Sequence, residues 1–179
     1  MTKAMRKGDW FLTYTGKKFY PTDPRPEDVF IEDIAHSLAN ICRFGGHVIK
    51  FYSVAQHSIM VSDLCPKCPF QALLHDATES FCGDMVRPLK VQLPEYKAVE
   101  NLLWAAICER FNIPVVMDPM VKHMDNVALM TERRDLLIKS DYPWSLEATC
   151  PPVPEKIIPL DPDDAELVFM SKFHALCNN

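Results

Sequence analysis

No stretch of the 179 residues reaches the run of about 18 apolar side chains that a membrane-spanning helix requires. The opening M-T-K-A-M-R-K-G-D-W carries charge but no apolar run of the kind a secretion signal needs. Neither a membrane nor export is therefore expected, and the cytoplasm is the expected compartment. A basic excess is missing as well, the net charge being −5. Nucleic-acid polymers and anionic membranes are held through a basic face, so neither is an expected partner. A small phosphorylated ligand stays open, since one local cluster of Arg and Lys suffices for it. A second cysteine pair is also missing. Cys65 and Cys68 form one C-x-x-C, and a zinc ribbon needs another at similar spacing. The pair reads as a loop between two helices, punctuated by Pro66 and Pro69, with a metal there as the lesser alternative. The seven cysteines are expected as reduced thiols. There is no internal repeat and no low-complexity tract.

What is present is an ordinary globular composition, 48% hydrophobic and 24% charged. That suits one domain whose core needs no staples. W-F-L-T-Y-T-G-K-K-F-Y-P sets two aromatic, β-prone runs around Gly16 and predicts a hairpin over 9–21. A proline-rich connector follows over 21–29. Ile31, Ile34, Ala35, Leu38 and Ile41 then recur at helical spacing, ending near Gly45 and Gly46. Ser53 with Gln56 is a capping box that starts a helix at Val54. Further helices are predicted over about 69–82, over 94–111, from the Asp118-Pro119 cap to about Lys139, and after Asp161-Pro162. Residues 140–160, with five prolines, read as an ordered loop. The expected fold is all-α with a small N-terminal β-hairpin. It forms a single domain over 1–179, with a helical core at 31–139 and a C-terminal loop and helix at 140–177.

Into this apolar pattern L-L-H-D-A-T-E-S-F-C-G-D-M-V-R-P-L-K, residues 73–90, introduces His75, Asp76, Glu79 and Asp84. On one continuous helix, His75 with Glu79 and Asp76 with Glu79 share a face. A carboxylate in apolar surroundings gains a cation or a proton. His57 sits between Val54 and Val61 in the preceding helix, and Asp125 has Val121, Ala128 and Leu129 at helical spacing. His57, His75, Asp76 and Asp125 are thus expected to face inward from three helices. Mixed imidazole and carboxylate donors suit Zn, Mn, Fe or Co. Taken alone, His57 or Asp125 reads better as a hydrogen-bonded core residue; the adjacent His75-Asp76 pair favours the metal. His36, His47, His123 and His174 lack ligand spacing and are expected at the surface or in packing.

H…HD…D in an all-α domain resembles the HD-domain metal-dependent phosphohydrolases. Three segments are similar in particular to bacterial HD-domain 5′-deoxynucleotidases and bacteriophage dATP triphosphohydrolases. R-F-G-G-H-V-I-K-F-Y-S-V-A-Q-H-S places Arg43-Phe44 ahead of His57. H-D-A-T-E-S-F-C-G-D-M-V-R-P-L-K follows the nucleotidase pattern H-D-A-x-E-x-x-x-G-D-x-x-x-P-x-K, and V-K-H-M-D-N holds the late acid. The resemblance covers residues 31–139 and implies an HD-domain helical bundle. It implies His57, His75, Asp76 and Asp125 as ligands of a divalent ion (Zn, Mn, Co or Mg) and Glu79 as the acid that handles the attacking water. Asp84 is implied as an acid at the mouth of the site, and Arg43 and Lys90 as phosphate contacts. Phe44 stands where the family often has Trp against the nucleoside.

The implied activity is hydrolysis at the α-phosphorus of a 5′-deoxynucleotide. A dNTP of the dATP kind would give deoxynucleoside and triphosphate. A 5′-deoxynucleotidase acting on dNMPs is the alternative, and an inactive HD interaction module a further one. Cyclic-nucleotide phosphodiesterases share H…HD…D but carry extra histidines for a second metal, which this chain lacks at ligand spacing. Relatives assemble, so a homo-oligomer is implied; a viral member would work in the host cytoplasm. Two readings stay open for Glu132: a partner behind the ligands, or part of the solvated charge lattice Glu132-Arg133-Arg134-Asp135. Arg87 either joins the phosphate cluster or is simply exposed. T-Y-T-G-K-K-F-Y-P has no assigned chemistry and reads as a packed flap or a subunit contact.

Overall fold

The computed structural model describes residues 5–177, so the first four residues of the charged N-terminal stretch and the last two of the chain lie outside it. Strands β1 (Phe11–Leu12) and β2 (Lys18–Phe19) pair antiparallel, with Phe11 opposite Phe19 and Leu12 opposite Lys18. Gly16 turns between them at φ 75°, a conformation free of cost only for glycine. The helices are α1 (Ile31–Asn40), α2 (Val54–Leu64), α3 (Pro69–Leu73), α4 (Glu79–Cys82), α5 (Arg87–Lys90), α6 (Pro94–Phe111), α7 (Pro119–Leu136) and α8 (Pro162–Cys177). The fold is therefore all-α with a small N-terminal hairpin, as the sequence leads one to expect.

Local chemistry starts these helices where the sequence says. Ser53 Oγ accepts from the Gln56 amide at 3.1 Å, and Asp118 Oδ1 from the Met120 amide at 2.8 Å with Pro119 next. Helix α2 is central, packing against α1, α3, α7 and α8. The main core gathers Phe19, Ile34, Leu38, Leu73, Leu74, Leu103, Ile107 and Phe169, all fully buried. A second core, Val61, Cys65, Ala72, Val121 and Ala128, joins α2 and α3 to α7. The hairpin is a packed flap. Phe19 stacks on Phe81 at 3.9 Å, and Thr15 donates to the buried Asp33 through N (2.7 Å) and Oγ1 (3.0 Å). His36 is a packing residue, stacked under Tyr14 and 2.8 Å from Glu166.

Three boundaries differ from expectation. The helix expected over 69–82 is two short helices joined by a turn over 74–78. There the backbone changes to i→i+3 bonds, such as Ala77 N to Leu74 O at 2.9 Å and Glu79 N to Asp76 O at 3.0 Å. Helix α1 stops at Asn40 because Cys42 bridges to Ser53 and Arg43 N donates to Tyr52 O at 2.9 Å. Helix α7 stops at Leu136, where Ile49 N donates to the Leu136 carbonyl at 2.8 Å and Leu137 turns extended. Cys65 and Cys68 occupy the α2–α3 turn with their Sγ atoms 3.0 Å apart, and among the described residues no third metal-ligating side chain joins them. No described helix is long and apolar enough to cross a membrane.

Candidate metal centre

His57 projects from the middle of α2 and is fully buried, as are Val54, Ala55, Ser58 and Val61 on the same helix. Asp125 comes from α7, while His75 and Asp76 come from the 74–78 turn. The four thus converge from two helices and a turn, which corrects the expectation of three helices. The turn lets adjacent His75 and Asp76 reach one point: Asp76 Oδ2 lies 3.2 Å from His75 Nε2.

His57 Nε2 is 3.3 Å from His75 Nε2, 3.3 Å from Asp125 Oδ1 and 3.5 Å from Asp76 Oδ2. Donors bound about 2.1 Å from one ion stand about 3.0–3.4 Å apart in octahedral or tetrahedral shells. The donor atoms of His57, His75 and Asp125 all lie within 4.8 Å of one another, and this group could hold a metal ion. What lies behind them fits that use. His57 Nδ1 donates to Glu132 Oε1 at 2.6 Å, and His75 Nδ1 donates to the Ala72 carbonyl at 2.7 Å. Each ring thereby turns its Nε2 to the common point, the arrangement common to metal-bound histidines.

Glu132 is the hub. It is fully buried, and its second oxygen takes Arg43 Nη2 at 2.9 Å. Of the two readings open in the sequence, the structure selects the partner behind the converging donors, since Glu132 accepts from His57 Nδ1. Arg133 and Arg134 point instead to the 140–160 loop, where Arg134 Nη2 donates to Glu155 O at 2.8 Å. Arg43 also lies 3.9 Å from Asp76 Oδ2, and its buried Nε has no hydrogen-bond partner. The next residue, Phe44, adopts φ 57°, which costs a bulky side chain on the order of 1–3 kcal/mol. The Cys42–Ser53 bridge and the bonds of Arg43 hold it there.

Glu79 is 4% exposed, with one oxygen lacking a hydrogen-bond partner. Burial, aided by the charges of Asp76 and Asp84, pushes its carboxyl well above the ordinary range. Burial likewise raises Asp84, against the pull of Arg43. Lys90 Nζ stands 3.7 Å from Glu79 Oε1. The structure therefore gathers Arg43, Glu79, Asp84 and Lys90 around Asp76, within electrostatic reach of its carboxylate. Arg87 is exposed, as are His47, His123 and His174.

Without a metal, burial and the Arg43 charge work against a charged His57. The Glu132 and Asp125 carboxylates outweigh both and push its imidazole up to about 10. Burial also opposes charge on Asp76 and Asp125, yet His75 and His57 hold both carboxyls well below the usual range. Since His57 is raised from 6.5, its contribution to metal-free stability is complete below that pH and is lost as pH rises through about 10. An ion must displace the proton from His57 Nε2. Calorimetric titration with Mn or Zn near neutral pH, in buffers of different ionisation enthalpy, is expected to show about one proton released per ion. Apparent affinity is expected to rise with pH up to about 10. Heats independent of buffer would contradict this.

No family model matches the chain. Over 166 residues it is 45% identical to the uncharacterized protein YfdR of Escherichia coli (strain K12), covering 92% of this chain and 93% of that protein. Over 127 residues it is 36% identical to an uncharacterized protein of Rhodobacter capsulatus, covering 65% of each.

Proposed function

The chain belongs to the family of the Escherichia coli protein YfdR, and we propose that it is an HD-domain phosphohydrolase cleaving 5′-deoxynucleotides. One observation carries the reading: two imidazoles with Nδ1 tied back and two carboxylates converge on one point, with a buried Glu132 behind them. The residue order and the H-D-A-T-E-S-F-C-G-D-M-V-R-P-L-K segment agree with it. A divalent ion held by His57, His75, Asp76 and Asp125, whether Zn, Mn, Co or Mg, supplies Lewis acidity toward a water and a phosphoryl oxygen.

The chain's own residues do the rest. Glu79 holds an oxygen without a partner in a desolvated place, so it can take a proton from water and return it to the leaving 5′ oxygen. Arg43 and Lys90 offset charge on the phosphate, Arg43 through a planar fork. Asp84 stands at the mouth, toward the sugar. Phe44 offers its ring to the nucleoside. Water attacks the α-phosphorus, the bond to the 5′ oxygen breaks, and the deoxynucleoside leaves as the alcohol. With a dNTP the other product is triphosphate, and a dATP-like substrate is the first choice. With a dNMP it is phosphate. Self-association into a homo-oligomer belongs to the same proposal.

The test is one assay. Purified protein with Mn, Co, Mg or Zn is incubated with each dNMP and dNTP beside an Asp76→Ala control, and the products are resolved by chromatography. Triphosphate released from a dNTP, and absent in the control, is the expected result. Phosphate from monophosphates alone would make the chain a 5′-deoxynucleotidase. No product from any nucleotide, with metal bound, would overturn the enzyme reading and leave an interaction module.

A further inference from the structure

Asp84 and Lys90 lie on the segment 83–90, which has little packing of its own: Val86 and Leu89 are 43% and 49% exposed. Helix α5 is only four residues long and contributes no buried side chain. The segment is held from outside, by the first two turns of α6. Tyr96 Oη donates to Gly83 O at 2.7 Å, just before Asp84. The Tyr96 ring lies 5.8 Å from Lys90 Nζ. One turn on, Glu100 takes Lys90 Nζ at 2.6 Å.

Glu100 is 5% exposed and would be costly to bury alone. Its other oxygen takes Lys97 Nζ at 3.3 Å, but the Lys97 side chain is 62% exposed and reaches in from solvent. Lys90 is the closer partner, and it spans two buried carboxylates, Glu100 at 2.6 Å and Glu79 at 3.7 Å. With its side chain 24% exposed, Lys90 still has an open side from which to meet an anion. Glutamine at 100 would keep the shape but lose the charge that draws the ammonium off Glu79.

We propose that Glu100 and Tyr96 are positioning residues for the substrate side of the site. Glu100 fixes the Lys90 ammonium at the edge of Glu79, and Tyr96 fixes Gly83 so that Asp84 and Lys90 are presented together. The inference rests on the phosphohydrolase reading, in which Lys90 contacts phosphate. It adds that α6, outside the segments that carry the resemblance, sets where that contact is made.

Two measurements on the metal-loaded full chain decide it. In the first, acetic anhydride labels lysines and mass spectrometry follows each site. Lys90 is expected to react several-fold more slowly than Lys97, and to speed up several-fold in Glu100→Gln. An unchanged Lys90 rate would overturn the proposal. In the second, Glu100→Gln is expected to lower kcat/KM by about tenfold or more with the metal still bound. Glu100→Asp is expected to recover part of the loss, and in a Lys90→Ala background Glu100→Gln is expected to add nothing. An equal loss in that background would assign Glu100 to the fold alone and refute the positioning role. If the wild type hydrolyses no nucleotide, the phosphohydrolase reading falls, while the labelling rates still report whether Glu100 holds Lys90.

Discussion

Glu132→Ala is expected to lower folding stability by about 3–5 kcal/mol. Glu132 is wholly inaccessible to solvent and is the hydrogen-bond acceptor for both His57 Nδ1 and Arg43 Nη2. Removing it takes from two buried cationic groups the acceptor that they share. His57 then has only Asp125 and Asp76 to hold its charge, and Arg43 only Asp76 at 3.9 Å. Glu132→Gln is the gentler variant. It keeps the volume and can accept from one partner, so the fold is expected to survive while metal affinity falls about 10–100-fold. Chemical denaturation measures the first effect and calorimetric titration the second. A Glu132→Ala protein as stable as the wild type would mean that the three groups do not form the unit described above.

Asp125→Ala should abolish stoichiometric metal binding and lower hydrolysis at least about a thousandfold, the factor that several kcal/mol of lost charge stabilisation gives. Asp125 Oδ1 faces His57 Nε2 at 3.3 Å, and Oδ2 is taken by Lys122 Nζ at 2.5 Å, which fixes the carboxylate plane. The side chain is 18% exposed and lies outside the fully buried core, so far-ultraviolet dichroism is expected to stay as in the wild type. A second readout is independent of turnover. Metal raises the melting temperature of a protein that binds it in the native state only, and in Asp125→Ala that rise is expected to vanish. Persistence of the rise would mean that His57, His75 and Asp76 suffice for the ion.

Helix starts were legible wherever one side chain makes them. The hydroxyl of Ser53 and the carboxylate of Asp118 cap their helices in the structure as the local sequence requires. Helix ends and breaks were not. Nothing in L-L-H-D-A-T-E-S is a breaker, and its apolar spacing is helical. The turn at 74–78 is fixed by neighbours distant in sequence, since His75 and Asp76 meet groups on α2 and α7. The inward character of His57, His75, Asp76 and Asp125 was readable from apolar flanks alone. Glu132 was visible only as a residue two turns beyond Asp125, because its neighbours Arg133, Arg134 and Asp135 gave it the look of a solvated patch. Glu100 and Tyr96 carried no signal at all. Lys90 lies on the short α5 and Gly83 just past the end of α4, and contacts between separate elements leave no periodicity.

The stack of Phe19 on Phe81 has a practical consequence for anyone who trims the chain. The segment that carries the resemblance begins at residue 31, and a fragment starting there looks like a sensible minimal unit. Such a fragment would uncover Phe81, two positions from Glu79, and would leave Asp33 without the Thr15 donors. A shortened protein that proved insoluble or inert would then say nothing about the chemistry of the full chain. Affinity tags and fusion partners are better attached so that residues 5–20 stay intact.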